Sequence, residues 1–114
     1  MRVIAVMAQL IVSDLATSVR FYGSVFGREP DARPMYGLAE WHFAGAGAIQ
    51  VFEEAARAGK SGVTVGVDNV DQQIAALEAA GIDHDPPIAA TYVRLTTLSD
   101  PDGNRIVFTE PLPA

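Results

Sequence analysis

The 114 residues predict an α+β domain built from two βαβββ modules in one chain, with curved antiparallel-rich sheets forming a cup and helices on the outer face. Two observations predict it. A four-residue strand end and helix start occurs twice, as Val12-Ser13-Asp14-Leu15 and as Val67-Asp68-Asn69-Val70. Each copy is followed by a helical stripe, a stopping glycine and strand-like segments rich in β-branched residues. Module one then covers about 1–55 and module two about 60–114, both within a single domain spanning 1–114.

The elements follow in order. Arg2 to Val12 is a long apolar run in which Met7, Gln9 and Ile11 share a face by alternation. Ser13 and Asp14 form a helix N-cap region. Leu15, Val19, Tyr22 and Phe26 make one helical stripe, and Gly27 is placed to end the helix in a left-handed conformation. Arg28 to Arg33, with Pro30 inside and Pro34 just beyond, is a weak edge strand. Ala39–Ala44 and Ala48–Phe52 are strands around Gly45-Ala46-Gly47. A two-residue turn centred on Gly45 and Ala46 sets Trp41 opposite Gln50, whereas a three-residue turn sets His42 there. Glu53 to Gly62 is a polar connector.

Val63–Val67 opens the second module, Asp68 and Asn69 cap its helix, Val70, Ile74 and Leu77 form the stripe, and Gly81 ends it. Asp83 to Pro87 is a loop or edge segment, and Arg94–Leu98 is a strand. Ser99-Asp100-Pro101-Asp102-Gly103-Asn104 is a hairpin turn in which Gly103 or Asn104 takes positive φ and an aspartate accepts a backbone N–H two residues on. Arg105–Glu110 closes the chain with apolar residues on both faces, so both faces are covered: one by helices, the other around a pocket.

Composition narrows the function. There are no cysteines, which removes disulfides and thiolate chemistry, and no apolar run reaches membrane-span length. The net charge of −6 with scattered Lys and Arg argues against nucleic acid as partner, and with no apolar run of span length no membrane partner is expected. No signal peptide is in view, and the chain is expected to be cytoplasmic. Gly45-Ala46-Gly47 precedes a strand, so it is no phosphate loop. His42 and His84 have no nucleophile or relay partner by spacing, and no catalytic residue is assigned.

Val12-Ser13-Asp14-Leu15 with Ser18, Phe21-Tyr22, Phe26-Gly27, Val67-Asp68-Asn69-Val70 and Asp100-Pro101-Asp102-Gly103-Asn104 resemble the vicinal oxygen chelate superfamily of glyoxalase I, bleomycin-resistance proteins and extradiol dioxygenases. The likeness runs from about Val6 to Glu110. It implies a homodimer and, in members that use a metal, four ligand positions. These fall here on Met7, Gln50, Gly62 and Val107, a set unsuited to a divalent ion. The expectation is therefore no metal and no cofactor.

If the resemblance holds, the cup floor takes in Met7, Gln9, Ile11, Gln50, Phe52, Val107 and Thr109, with Trp41 as a wall and Arg94 and Thr96 on the same side. Trp41 also reads as plain core, Gln50 as a partner for Gln9 within the sheet, and Arg94 as a side chain reaching solvent. The function expected is binding of a small organic molecule in an apolar cup, as in the bleomycin-resistance branch. The alternatives are an enzyme, either a glyoxalase-like lyase, isomerase or dioxygenase with displaced ligands or a metal-free acid–base catalyst using Glu40, Glu53 or Glu54, and a dimerising module with no ligand.

Overall fold

In the computed structural model, which describes residues 1–113, alternating apolar residues draw seven strands into two small mixed sheets. β1 (Met7–Val12), β2 (Leu38–Phe43) and β3 (Gly47–Glu53) form the first, in the order β1-β3-β2. β4 (Gly62–Gly66), β5 (Ile88–Ala89), β6 (Val93–Ser99) and β7 (Arg105–Pro111) form the second, in the order β4-β7-β6-β5. In each sheet the first strand of the module runs parallel to the last, and the other pairings are antiparallel. The helices are α1 (Leu15–Phe26) and α2 (Val70–Ala79).

Both helices start as the repeat predicts. Asp14 caps α1 by accepting from Thr17 N, and Asn69 caps α2 by accepting from Gln72 N. A second clasp also repeats. Glu53 at the end of β3 accepts from Leu15 N at 2.8 Å, and Glu110 in β7 accepts from Val70 N at 2.8 Å. The last strand of each half thus ties to the first turn of its own helix and satisfies a helix-end N–H. Gly27 ends α1 with φ +71°, as the stripe predicts.

One face of each sheet lies under the helices. Leu10, Val12, Ala39, Trp41, Ile49 and Val51 pack against Tyr22 and Val25 of α1, and Leu98, Ile106 and Phe108 join Leu77 of α2 in the same core. Burying each large side chain stabilises the fold by about 1.5–3 kcal/mol. Tyr22, Phe26, Trp41 and Phe43 form a run of aromatic contacts with ring centroids 5.3–6.1 Å apart.

The hairpin between β6 and β7 locks the halves together. Gly103 takes φ +95°, and Asp100 Oδ1 accepts from the N–H groups of Asp102 and Asn104, both at 2.9 Å. Asp100 Oδ2 accepts from Tyr22 Oη at 2.7 Å and from Asn104 Nδ2 at 2.8 Å. Asn104 Nδ2 also reaches the carbonyl of Ile11, while its Oδ1 accepts from Ser61 N. Burial, and after it the hydrogen bond to Asp100, pushes the Tyr22 phenol well above its ordinary range.

Three details differ from expectation. The paired part of the first strand begins only at Met7, because β3 starts at Gly47 and leaves residues 2–6 no strand to pair with; Val6 O still accepts from Ala48 N. The Arg28–Arg33 edge strand reduces to an isolated bridge between Ala32 and Glu40. The first hairpin pairs Phe43 with Gly47 and Glu40 with Gln50, so its loop is Ala44-Gly45-Ala46 and neither Trp41 nor His42 stands across from Gln50.

Candidate functional site

The sheet faces turned away from the helices carry the candidate site. On the first sheet, register and alternation arrange nine residues as three rows. His42, Ala48 and Met7 form one row, Glu40, Gln50 and Gln9 the next, and Leu38, Phe52 and Ile11 the third. On the second sheet the corresponding face holds Gly62, Thr64, Val107 and Thr109.

The middle row is a hydrogen-bonded chain. Gln9 Nε2 donates to Gln50 Oε1 at 3.5 Å, and Gln50 Nε2 donates to Glu40 Oε2 at 2.6 Å. Glu40 Oε1 lies 2.8 Å from His42 Nε2. Glu40 is only 6% exposed, and the hydrogen bonds from His42 and then Gln50 hold its carboxyl below the usual range. A buried carboxylate so paired stays ionised and its oxygens stay occupied.

Met7, Gln9, Gln50, Phe52 and Val107 therefore share the helix-free faces, as expected. Three expected residues do not. Trp41 is fully buried beneath α1, and its Nε1 donates to the carbonyl of Arg28 at 3.0 Å. The observed loop shifts the hairpin register, and the helix stripe needs a large apolar partner there. Arg94 and Thr96 are on the helix side of β6, in register with Glu110 and Phe108. Arg94 bonds Asp71 in the first turn of α2, and Thr96 Oγ1 donates to the carbonyl of Asp85 at 2.8 Å. These are structural tethers.

Sequence reasoning missed the Glu40–His42 pair. The signal was present: Glu and His flank Trp41 on a strand, so a buried Trp41 puts both on the opposite face. Gly47 was the further clue to register. It has φ +108°, and a Cβ there would sit 2.7 Å from Val6 O, so this strand position must be glycine.

The four positions that the resemblance implies for a metal do not fit one. Met7 offers a thioether, Gln50 an amide already bonded to Glu40, and Gly62 and Val107 nothing. Among the described residues no cluster of three or more His, Cys, Asp or Glu could hold an ion. No helix among them is long and apolar enough to cross a membrane.

Two clefts open beside the sheets, the first on the helix side and the second on the helix-free side. One of about 420 Å³ opens along the seam between β1 and β4, lined by Ala8, Phe26, Phe43, Val63, Val65 and Phe108 among others. The other, about 570 Å³, lies between residues 3–7 and the β2–β3 hairpin and includes His42.

Comparison with known proteins agrees with this architecture. The family model described as Glyoxalase/Bleomycin resistance protein/Dioxygenase superfamily matches residues 4–108. Among solved structures, a glyoxalase/bleomycin resistance protein from Catenulispora acidiphila DSM 44928 is 27% identical with TM-score 0.88, covering 97% of this chain and 100% of that one. TnmS3, an antibiotic binding protein from Streptomyces sp. CB03234, is 24% identical with TM-score 0.83, covering 97% and 98%. A bleomycin resistance determinant encoded on the transposon Tn5 is 16% identical with TM-score 0.80, covering 95% and 98%. No curated protein matches significantly.

Proposed function

Because the chain belongs to the Glyoxalase/Bleomycin resistance protein/Dioxygenase superfamily, we propose that it binds a small organic molecule on its helix-free faces without using a metal. The observation that carries this reading is the chemistry of that surface. Apolar residues (Met7, Ile11, Phe52, Val107) surround a short amide and carboxylate row, and the four family metal positions offer only a thioether and an amide already engaged by Glu40. Such a surface holds a ligand by shape, stacking and a few hydrogen bonds. The antibiotic-binding and resistance proteins that share its fold support the same direction.

The reading includes a homodimer. Ile88 and Tyr92 are exposed large side chains outside the cleft beside residues 3–7, and a second copy is the partner expected to cover them.

The test combines metal analysis with thermal unfolding against a panel of aromatic small molecules, before and after chelation. The expected result is no stoichiometric metal and a ligand-induced rise in stability that chelation leaves unchanged. At a ligand concentration one hundred times Kd the rise is about 2.7 kcal/mol. One divalent ion per chain, with affinity lost in Gln50→Ala, overturns the reading.

A further inference from the structure

His42 is the one ionisable side chain lining the cleft of about 570 Å³ beside the N-terminal stretch. Val3, Ile4, Met7 and Ala48 give that cleft apolar walls. The imidazole is held from one side only: Nε2 faces Glu40, and Nδ1 has no hydrogen-bond partner among the described residues. An ionised carboxylate can only accept, so the ring nitrogen facing it carries the hydrogen. In the neutral ring this leaves Nδ1 with a free lone pair, on a side chain 49% exposed.

We propose that Nδ1 of His42 is the docking point for an acidic hydroxyl, a phenol or stabilised enol, on a small aromatic molecule seated in this cleft, with Glu40 fixing the ring. The inference rests on the small-molecule reading above and names the ligand chemistry. An apolar cleft suits an aromatic body. An ammonium group would need a free carboxylate oxygen, and both oxygens of Glu40 are engaged. A carboxylic acid is already ionised at neutral pH, so its docking must draw a proton from solvent where an acidic hydroxyl supplies its own.

On docking, the ligand O–H bond breaks, its electron pair stays on oxygen, and an N–H bond forms at Nδ1. The resulting imidazolium lies between phenolate and Glu40 carboxylate, each a charge-assisted partner. No other charge contacts the ring among the described residues. Ala48 and Gln50 face it from β3, and residues 3–7 line the cleft without charge. Asp31 and Arg28 reach only the backbone of His42, at its N–H and its carbonyl.

The experiment titrates the full chain with 4-nitrophenol and, in parallel, with its methyl ether 4-nitroanisole, at a pH below the free phenol's ionisation. The expected result is that the phenol binds at least about tenfold more tightly than the ether, and that binding brings up the phenolate absorption band. In His42→Ala and His42→Gln, checked for native unfolding behaviour, the band disappears and the phenol falls to the affinity of the ether, which itself changes less than about twofold. Glu40→Gln weakens the band. Equal binding of both probes without the band overturns this inference while leaving the small-molecule reading standing. Failure of both probes to bind overturns this inference, whereas the small-molecule reading falls only if the whole aromatic panel also leaves thermal stability unchanged.

Discussion

Tyr22→Phe tests the joint between the halves. The substitution keeps the ring, and with it the packing against Phe26 and Trp41, and removes only the hydroxyl that donates to Asp100 at 2.7 Å. Asp100 is 5% exposed, so the oxygen left without that donor gains no water in exchange. A buried hydrogen bond to a charged acceptor contributes about 1.5–3 kcal/mol, and a loss near the middle, about 2 kcal/mol, is expected here. With an unfolding entropy of about 2.1 cal/mol/K per residue over 114 residues, that lowers Tm by about 8 °C.

The same bond sets a pH signature. The Tyr22 phenol ionises later in the folded chain than in the unfolded one. Above pH of about 10 the unfolded chain therefore holds fewer protons than the folded one, and stability falls as pH rises. Urea unfolding between pH 7 and 11 reads both effects. Wild type loses stability across the alkaline limb, and Tyr22→Phe starts lower but lacks this tyrosine's share of the slope. A loss under about 0.5 kcal/mol at pH 7, with identical alkaline slopes, refutes the claim that this contact holds the modules together.

Three further predictions follow from the geometry. Gly59 sits at φ +84° against the carbonyl of Asp102, and Gly59→Ala is expected to cost about 3 kcal/mol in denaturant unfolding, whereas Gly66→Ala, with open space around it, costs about 1 kcal/mol or less. Glu53→Gln and Glu110→Gln remove equivalent charged clasps and are expected to cost the same, about 1 kcal/mol each in matched unfolding curves; a large inequality would show that the two clasps are not equivalent. The triple variant Gln50→Glu, Gly62→His, Val107→Glu puts three donors on the helix-free faces, and calorimetry is expected to detect zinc binding absent from wild type; a folded triple variant without it shows that these positions do not converge.

The fold was legible because its signals are local. The caps at Asp14 and Asn69, the stripe through Tyr22 and the turn at Gly103 each depend on a few neighbouring residues. The site was half legible. Met7, Gln9, Gln50, Phe52 and Val107 follow from alternation once their strands are known. Trp41 did not, because its face depends on a hairpin register one residue away from the guess, and a shift of one turns every side chain over. Arg94 and Thr96 have partners, Asp71 and the carbonyl of Asp85, more than ten positions away, and nothing near them in the chain announces those partners. Asn104 was read as a turn residue, yet its side chain also joins Ile11 and Ser61, a long-range role that local turn chemistry conceals.

The repeated carboxylate clasp has a consequence for how such a scaffold changes over time. Glu53 and Glu110 act as rulers, setting the offset between strand and helix from carboxylates that line neither of the two clefts described above. Frame and interior are thereby uncoupled. Side chains on the inner surface can be exchanged, a histidine for a thioether or a carboxylate for an amide, while the backbone that presents them keeps its dimensions. A lineage carrying this device is free to alter its inner surface without relearning how to fold.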